Sequence, residues 1–402
     1  MSKLLKVELI KMMFVSLPMV LTPAFNMLFL VLVARTVDLT SYGNLSYALA
    51  LISILVGFSD LGLRDYFLSK DGVAKKYSSG INLFVFSFFI FLCIFILQYH
   101  VLEFEEQLLA IFLLLLGEGF ALGVLHKVIY YKYQSDNQLP KFSRYDSIFK
   151  VIPVAIKITV LYLTKDLFFA IVLSSVISLV IYGGWLLRLR LFNAFEIRSI
   201  ISDLNVLLRD YKSWSIYTIS FVSFFLYFGA DRLVVEYVLG VEQLAIYSAS
   251  MAFMAVGQIF VGVLWSLYMP RLSRGEKLWS YKKFMLIVSA LSILLVCAYT
   301  IFSIYLFPYV YPVDYQEGAA VLAVAALYFI FRFPNVVMEI YFIVDGKYNS
   351  FVKMRVLFGL TSLALSFTLL PVLGILGAAL ALVISEMLLT LSSLLGRRRQ
   401  SC

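Results

Sequence analysis

The stretch "YFIFRFPNVVMEIYFIV", residues 328–344, places opposite charges inside a segment suited to lipid. Most of its side chains are apolar, and its length approaches the roughly 20 residues that cross a bilayer as a helix. Arg332 and Glu339 interrupt it, with Pro334 between them. A charged side chain at the bilayer centre costs ~2.5–3.5 kcal/mol when it faces lipid. The stretch therefore predicts a transmembrane helix whose charged side chains face protein or water.

The composition of the whole chain indicates the same class of protein. Of its 402 residues, 62% are hydrophobic and 14% are charged, whereas soluble domains carry about 25% charge. Three cysteines and two histidines are too few and too scattered to indicate a disulfide framework or a zinc site. The sequence predicts an all-α polytopic membrane protein with no cofactor, no metal site and no nucleic-acid partner.

Apolar segments of spanning length recur along the chain and predict twelve transmembrane helices. The first begins after Lys3, Lys6 and Lys11, and is too long for a signal peptide. The predicted spans are 14–34, 43–63, 81–98, 108–129, 147–163, 167–187, 213–234, 244–266, 284–306, 319–343, 354–371 and 374–395.

The distribution of basic residues predicts the orientation of these spans. Of the 33 lysines and arginines, 27 fall on the side of the N-terminus and two, Arg35 and Lys165, on the other side. The remaining four, Lys150, Lys157, Arg232 and Arg332, lie within spans, while Lys127 and Arg355, at the cytoplasmic ends of their spans, are counted among the 27. Both termini are therefore predicted to be cytoplasmic, and the outer loops are short and acidic.

The chain divides into two halves of six predicted spans each. The N-terminal six-helix bundle is residues 1–190, the cytoplasmic linker 191–212 and the C-terminal bundle 213–402. The start of the second span, "TSYGNLSYA" (40–48), and that of the eighth, "EQLAIYSAS" (242–250), share a polar pair, a small residue and an aromatic, but only Ser46 and Ser248 are identical. Because each half has an even number of spans, the halves are predicted to be parallel repeats with a cavity between them, the architecture of a transporter.

Ionisable residues within the predicted spans mark the candidate site. Arg332 and Glu339 are seven residues apart and so share one helix face, as do Lys150 and Lys157. Pro334 removes the hydrogen bond to the Ile330 carbonyl and is expected to bend the helix. The full set is Asp60, Glu118, Lys150, Lys157, Asp231, Arg232, Arg332, Glu339 and Glu386.

We interpret four cations as groups that bind an anionic substrate in the cavity: Arg332, Lys150, Lys157 and Arg232. The alternatives are structural. Arg332 can form an ion pair with Glu118 or Glu386, and Arg232 with an acid of another helix. Either lysine can lie at the end of its span and reach the membrane surface.

Two motifs carry a resemblance to a known family. "LVARTVDLTSYGNLSYALALISILVGFSDLGLRDYFL" (30–68) contains the Tyr42-Gly43 pair and "SDLGL" (59–63), and "GADRLVVEYVLGVEQLAIYSAS" (229–250) contains the Asp231-Arg232 pair. With twelve spans in a six-plus-six repeat, the chain resembles the O-antigen and polysaccharide flippases. These belong to the multidrug/oligosaccharidyl-lipid/polysaccharide exporter superfamily, whose fold is MATE-like.

The resemblance implies a flippase and not an enzyme. The expected activity is translocation of undecaprenyl-pyrophosphate-linked oligosaccharide, an O-antigen or other surface-polysaccharide repeat unit, to the outer leaflet of the bacterial inner membrane. Alternating access coupled to H⁺ or Na⁺ antiport is implied, as are a polysaccharide polymerase and a chain-length regulator as partners, in lipopolysaccharide or other polysaccharide biosynthesis. The ion-coupling candidates are Glu118, Asp60, Asp231 and Glu339.

Two other functions remain open at this point. A multidrug or cation antiporter of the same fold prefers acids in its cavity, and this chain has both acids and cations. A lipid-linked sugar polymerase or glycosyltransferase requires acceptor chemistry on an outer loop or domain. The longest predicted outer loop, 307–318, has only twelve residues, which disfavours the enzyme.

Overall fold

The computed structural model describes residues 21–60, 93, 106–126, 129–130, 133, 139–188, 211–273 and 281–398. Within these ranges every regular element is helical, as the sequence predicts. The first half contains α1 (Leu21–Thr36), α2 (Leu39–Asp60), α3 (Glu106–Glu118), π1 (Gly119–Leu125), α4 (Leu139–Thr164) and α5 (Leu167–Arg188). The second half contains α6 (Tyr211–Phe228), α7 (Ala230–Leu239), α8 (Val241–Ser273), α9 (Tyr281–Ile301), π2 (Phe302–Leu306), α10 (Phe307–Val310), a 3₁₀ turn (Val313–Tyr315), α11 (Glu317–Ala326), α12 (Tyr328–Val344), α13 (Tyr348–Leu373) and α14 (Ile375–Arg398).

Seven helical segments in the described ranges are long and apolar enough to cross a membrane. The chain is thus a multi-pass membrane protein. These segments coincide with the second, sixth and eighth to twelfth predicted spans. The predicted span 81–98 lies outside the described residues apart from residue 93, so the total of twelve stays a prediction. The seven segments are Leu39–Val56, Leu167–Trp185, Val241–Trp265, Tyr281–Val310, Val313–Val344, Tyr348–Leu373 and Ile375–Leu395.

The fifth predicted span is part of a longer helix than the sequence indicated. The prediction was 147–163, whereas α4 begins at Leu139 and continues through Pro153 to Thr164. Residues 139–146, assigned to a cytoplasmic loop, are therefore helical. Asp146 consequently lies one turn from Lys150 on the same helix.

Two compact units emerge from the packing of the chain, residues 1–33 with 51–222 and residues 34–50 with 223–402. In the first unit α4 packs against α5, and α3 also packs against α5. Aromatic side chains dominate one core of this unit, around Phe142, Phe149, Tyr182 and Trp185.

The second unit includes the first part of α2. Tyr42 packs edge-on against Tyr315, with ring centroids 5.5 Å apart. Gly43 approaches the backbone so closely that a Cβ at this position would lie 2.2 Å from the carbonyl oxygen of Val241. The Tyr42-Gly43 motif is therefore a packing contact, because only a glycine permits this approach.

Helices of the second unit differ sharply in burial. Only 28% of the spanning window in Tyr281–Val310 and 22% of that in Tyr348–Leu373 are buried, against 72% for Val313–Val344. Exposed side chains such as Leu286 and Leu294 give α9 the surface of a lipid-facing helix. The segment α12 is interior, with twelve of its 17 residues buried. It continues through Pro334, and the helix is interrupted earlier, at Leu327.

Candidate functional site

The charges of α12 belong to a buried ion network in the second unit. Arg332 Nη1 lies 3.8 Å from Glu339 Oε2 on the same helix and 3.6 Å from Glu386 Oε1 of α14. Arg355 of α13 donates a hydrogen bond of 2.7 Å from Nη2 to the same oxygen of Glu339. Asn335 donates one of 2.8 Å to Glu386 Oε1. The network thus joins two arginines and two carboxylates from three helices.

Burial makes the charge balance of this network essential. Arg332, Glu339, Arg355 and Glu386 are each no more than 6% exposed. A buried charge without a partner is strongly destabilising, whereas opposite charges with hydrogen bonds offset the loss of water. Two guanidinium groups and two carboxylates have no net charge. An incoming anion therefore has to compete with Glu339 and Glu386 for Arg332.

Arg355 was counted with the cytoplasmic loop 344–355, although it is also the second residue of the predicted span 354–371; it lies within α13 and is buried. Its ring neighbour is Phe351, whose centroid is 4.9 Å from the guanidinium carbon. The sequence did contain one sign of this contact. Arg355 follows Phe351 by four residues, so in a helix the two side chains lie on the same face. Glu386 was recognised as a charge within a span, and its pairing with Arg332 was one of the alternatives.

A second ion pair lies within the first unit. Lys157 Nζ is 3.5 Å from Glu118 Oε2, and Ser175 donates a hydrogen bond of 3.1 Å to the same oxygen. Lys157 also lies 5.4 Å from the centroid of the Phe29 ring. Glu118 ends α3, and π1 begins at Gly119. Turns of π-helix occur frequently at functional sites, which makes this junction a candidate site.

Lys150 is the most exposed of the candidate cations that have a carboxylate partner. Its Nζ lies 2.8 Å from Asp146 Oδ1, and its side chain is 32% exposed. The same carboxylate oxygen contacts Nε2 of the buried His126. Sequence reasoning set His126 aside as one of too few histidines for a zinc site and assigned Asp146 to a loop. The four-residue spacing of Asp146 and Lys150 was the signal that it missed.

The Asp231-Arg232 pair lies at the start of α7. Asp231 is buried and accepts a hydrogen bond of 2.5 Å from the Tyr247 hydroxyl and one of 3.0 Å from the Arg232 backbone amide. Asp231 therefore joins α7 to α8. Asp60 is the last residue of α2, and its side chain lies outside the described residues.

The segment from the end of α1 to the start of α2 makes polar contacts within the second unit. Arg35 donates hydrogen bonds to the carbonyl oxygens of Val310, at 2.8 Å, and Tyr309. Thr40 donates one of 3.3 Å to Glu242. Asp38, between α1 and α2, accepts from the Ser41 hydroxyl and amide, and these bonds hold the pKa of its carboxyl below the usual value. The predicted spans place all of these residues in outer loops.

A cavity of about 460 Å³ in the second unit does not contain the ion network. Glu317 is its one ionisable lining residue, so it lacks a cation to hold a phosphate. Across the described ranges, no group of three or more histidine, cysteine or acidic side chains is arranged to hold a metal ion. The cavity is lined by Leu239, Gln243, Glu317, Ala320, Leu373, Gly374, Ile375 and Leu376.

No protein-family model matches the sequence. A capsular polysaccharide biosynthesis protein, CapF of Staphylococcus aureus, is 25% identical over 171 residues. That alignment covers 41% of this chain and 43% of CapF, so the chain matches less than half the length of this relative.

Solved structures show a broader likeness. The lipid II flippase MurJ, in an inward closed conformation, has a TM-score of 0.72 at 14% identity, covering 96% of this chain and 87% of MurJ. The Vibrio cholerae MATE transporter VcmN, in a mutant form, has a TM-score of 0.54 at 12% identity, covering 97% and 96% of the two chains. An inward-facing multidrug MATE transporter of the MOP superfamily has 0.52 at 14% identity, covering 97% and 98%. The chain therefore has the fold shared by the MurJ flippase and the MATE transporters of the MOP superfamily.

Proposed function

We propose that this protein is a flippase that moves undecaprenyl-pyrophosphate-linked oligosaccharide from the cytoplasmic to the outer leaflet of a bacterial inner membrane. The observation that carries the proposal is the MurJ-like fold across 96% of the chain. The partial similarity to CapF supports a polysaccharide repeat unit as the cargo. In this proposal the chain has twelve spans, with bundles 1–190 and 213–402 joined by the linker 191–212, and both termini are cytoplasmic.

The proposed cargo carries two phosphates, and the candidate cations supply the complementary charge. Charge-assisted hydrogen bonds between basic groups and phosphate are typically about 2.7–2.9 Å long. Arg332 lies 3.6 and 3.8 Å from its two carboxylate partners, whereas Arg355 is hydrogen-bonded to Glu339 at 2.7 Å. We infer that Arg332 is the arginine that exchanges a carboxylate for the cargo, while Arg355 holds Glu339 in place.

Lys150, Lys157 and Arg232 complete the proposed set of substrate-binding cations. Lys150 is partly exposed, so it is open to an entering headgroup. Lys157 is buried against Glu118 and requires that pair to open before it reaches a phosphate. Asp60, Glu118, Asp231 and Glu339 remain the proposed ion-coupling acids, since protonation or cation binding at a carboxylate releases its basic partner. Alternating access then moves the headgroup while the polyprenyl tail stays in lipid.

A second function is favoured by the neutral state of the ion network. Because Arg332 and Arg355 are matched by Glu339 and Glu386, the second unit presents no excess positive charge there. Two structures of multidrug resistance MATE transporters share the fold, with TM-scores of 0.52 and 0.53. A multidrug or cation antiporter is therefore the alternative. Neither function requires group-transfer chemistry, so we infer that the protein is not an enzyme.

Translocation by the purified protein in proteoliposomes distinguishes the two functions. One preparation is offered a defined undecaprenyl-pyrophosphate oligosaccharide, and a matched one a cationic dye. The flippase is expected to move the lipid-linked sugar, with no transport of the dye above protein-free vesicles. Transport of the dye without the lipid would contradict the flippase and establish the antiporter.

The same assay tests Arg332. Arg332→Ala is expected to reduce lipid translocation roughly ten- to a hundredfold, the effect of losing one hydrogen bond to a charged group. Arg332→Lys is expected to retain part of the activity. Lys353→Ala is the control, since it removes a cation from an exposed position of α13. Normal translocation by a folded Arg332→Ala protein would remove this residue from cargo binding.

A further inference from the structure

An aromatic cage in the first unit encloses a histidine that the proposed function does not use. His126 follows π1 and is 1% exposed. Its imidazole ring is 4.9 Å from the ring of Phe142, 6.0 Å from Phe149, 5.7 Å from Tyr182 and 6.3 Å from Trp185, measured between centroids. These four rings and His126 are called the His126 cage below.

Only one nitrogen of this histidine has a hydrogen-bond partner among the described residues. Nε2 contacts Asp146 Oδ1, while Nδ1 is buried and has no such partner. An ionised carboxylate is only an acceptor, so Nε2 has to carry the hydrogen of this bond. In the neutral ring Nδ1 then presents a buried lone pair. Nδ1 is therefore the position at which the imidazole gains a proton.

The charges around the cage are matched while His126 is neutral. Lys150 lies 2.8 Å from the carboxylate oxygen that also contacts His126. One lysine and one carboxylate have no net charge, so a proton on Nδ1 adds one positive charge to the site. Aromatic faces within about 6 Å stabilise a cation, and the Asp146 carboxylate does so directly. In the other direction, burial and the charge of Lys150 oppose the imidazolium.

The exposure of the three polar side chains indicates a path for the proton. The side chains of Lys150, Asp146 and His126 are 32%, 10% and 1% exposed in turn. Asp146 and Lys150 thus connect the buried ring to the surface of the protein within one helical turn of α4. The titratable and charged groups described around the cage are Asp146, Lys150 and Tyr145 of α4, Tyr182 of α5, and Tyr130 and Tyr133 after π1.

We propose that His126 is a proton-binding site and that its protonation drives the transport cycle. The role in transport rests on the proposed function, whereas proton binding does not. The seven residues of π1 join His126 directly to Glu118, whose carboxylate holds Lys157. A change of charge at His126 acts on this irregular segment, and the segment positions the Glu118–Lys157 pair. None of the four acids proposed above for ion coupling is required for this proton site.

Direct titration tests the site without any transport assay. The chain has only two histidines, so ¹⁵N-histidine labelling of the full protein in nanodiscs yields two sets of imidazole signals, and His100→Gln identifies those of His126. We expect them to titrate reversibly within about pH 5 to 8, the range open to histidine. Asp146→Asn is expected to move the midpoint to lower pH and Lys150→Gln to higher pH. A His126 signal that does not change from pH 4.5 to pH 9, or identical midpoints in both variants, would overturn the proposal.

Transport along an imposed pH gradient tests whether protonation of His126 drives the transport cycle. Wild-type lipid translocation is expected to accelerate with the gradient, whereas His126→Gln is expected to exchange lipid at the basal rate with no acceleration. His100→Gln is the matched control. Unchanged acceleration in His126→Gln would overturn the coupling role. If the wild-type protein moved no lipid-linked oligosaccharide, the proposed function would fail, and the titration would still decide whether His126 binds protons.

Discussion

The ion clusters of the two units are built in opposite ways. In the second unit, Arg332, Arg355, Glu339 and Glu386 are all nearly inaccessible to solvent, and their charges cancel. In the first unit, the group Lys150, Asp146 and His126 extends from a partly exposed side chain to a buried one. A sealed and balanced cluster is destabilised when one of its charges is removed, while the graded one reaches the surface of the protein through Lys150. We infer that the sealed network of the second unit adds rigidity around Arg332, and that the graded group of the first unit is the one that responds to protons through His126.

The largest effect is expected from removing one member of the sealed network. Glu339→Leu leaves Arg355 without the carboxylate to which it donates at 2.7 Å. Breaking a buried ion pair costs about 3–5 kcal/mol, so the free energy of unfolding is expected to fall by this amount in a denaturant titration in micelles. Asp146→Asn in the first unit is expected to cost less, because Lys150 can turn to solvent.

A double variant separates lost charge from lost packing. Glu339→Leu/Arg355→Leu removes both partners and is expected to be more stable than Glu339→Leu alone, since no charge is stranded. Equal instability of the single and double variants would show that shape and not charge governs the network. If Asp146→Asn lost as much free energy of unfolding as Glu339→Leu, the two units would not differ in the way described.

The second prediction compares the packing of α14, which carries Glu386, with that of α5, which packs against α4. In α14, a Cβ on Gly377 would lie 2.5 Å from the Leu369 carbonyl oxygen, whereas one on Gly183 of α5 would meet nothing within 4 Å. Gly377→Ala is expected to lower the free energy of unfolding by about 1–3 kcal/mol, the cost of overpacking. Gly183→Ala is expected to raise it by about 0.5–1 kcal/mol, because alanine restricts the unfolded chain. The same sign for both variants in parallel unfolding curves would contradict this difference.

The smallest effect is expected where neither cluster is changed. Lys165, between α4 and α5, has a φ of 56°, a conformation that costs most residues about 1–2 kcal/mol. Lys165→Gly is expected to stabilise the protein by about 0.5–1 kcal/mol. In contrast, Lys353→Gly within α13 is expected to destabilise it by about 1 kcal/mol. Thermal unfolding of the two variants measures whether each is more or less stable than the wild type. A loss of stability in Lys165→Gly would show that the positive φ at this position is not strained.

Many charged residues of the candidate site could be inferred from their positions in the sequence, but most of their ion-pair partners could not. The seven-residue interval from Arg332 to Glu339 placed both on one helix face, and Nη1 of the arginine does lie 3.8 Å from Oε2 of the glutamate. Arg355 was missed because hydropathy leaves the ends of spans uncertain by a few residues, which is enough to move an arginine from a loop into a helix. His126 was missed because an isolated histidine has no periodicity to mark it.

The sequence by itself determined that this protein crosses a membrane many times as helices. Hydropathy and composition are properties of each segment alone. They therefore predict the fold class, and that charges within spans avoid lipid, without knowledge of which helices pack together. The tertiary structure alone decided that Glu339 binds Arg355, that Glu118 binds Lys157, and that Asp146 lies between Lys150 and His126. Which charges meet depends on the rotation and depth of each helix against the next, and those are set by side-chain packing across segments far apart in the chain.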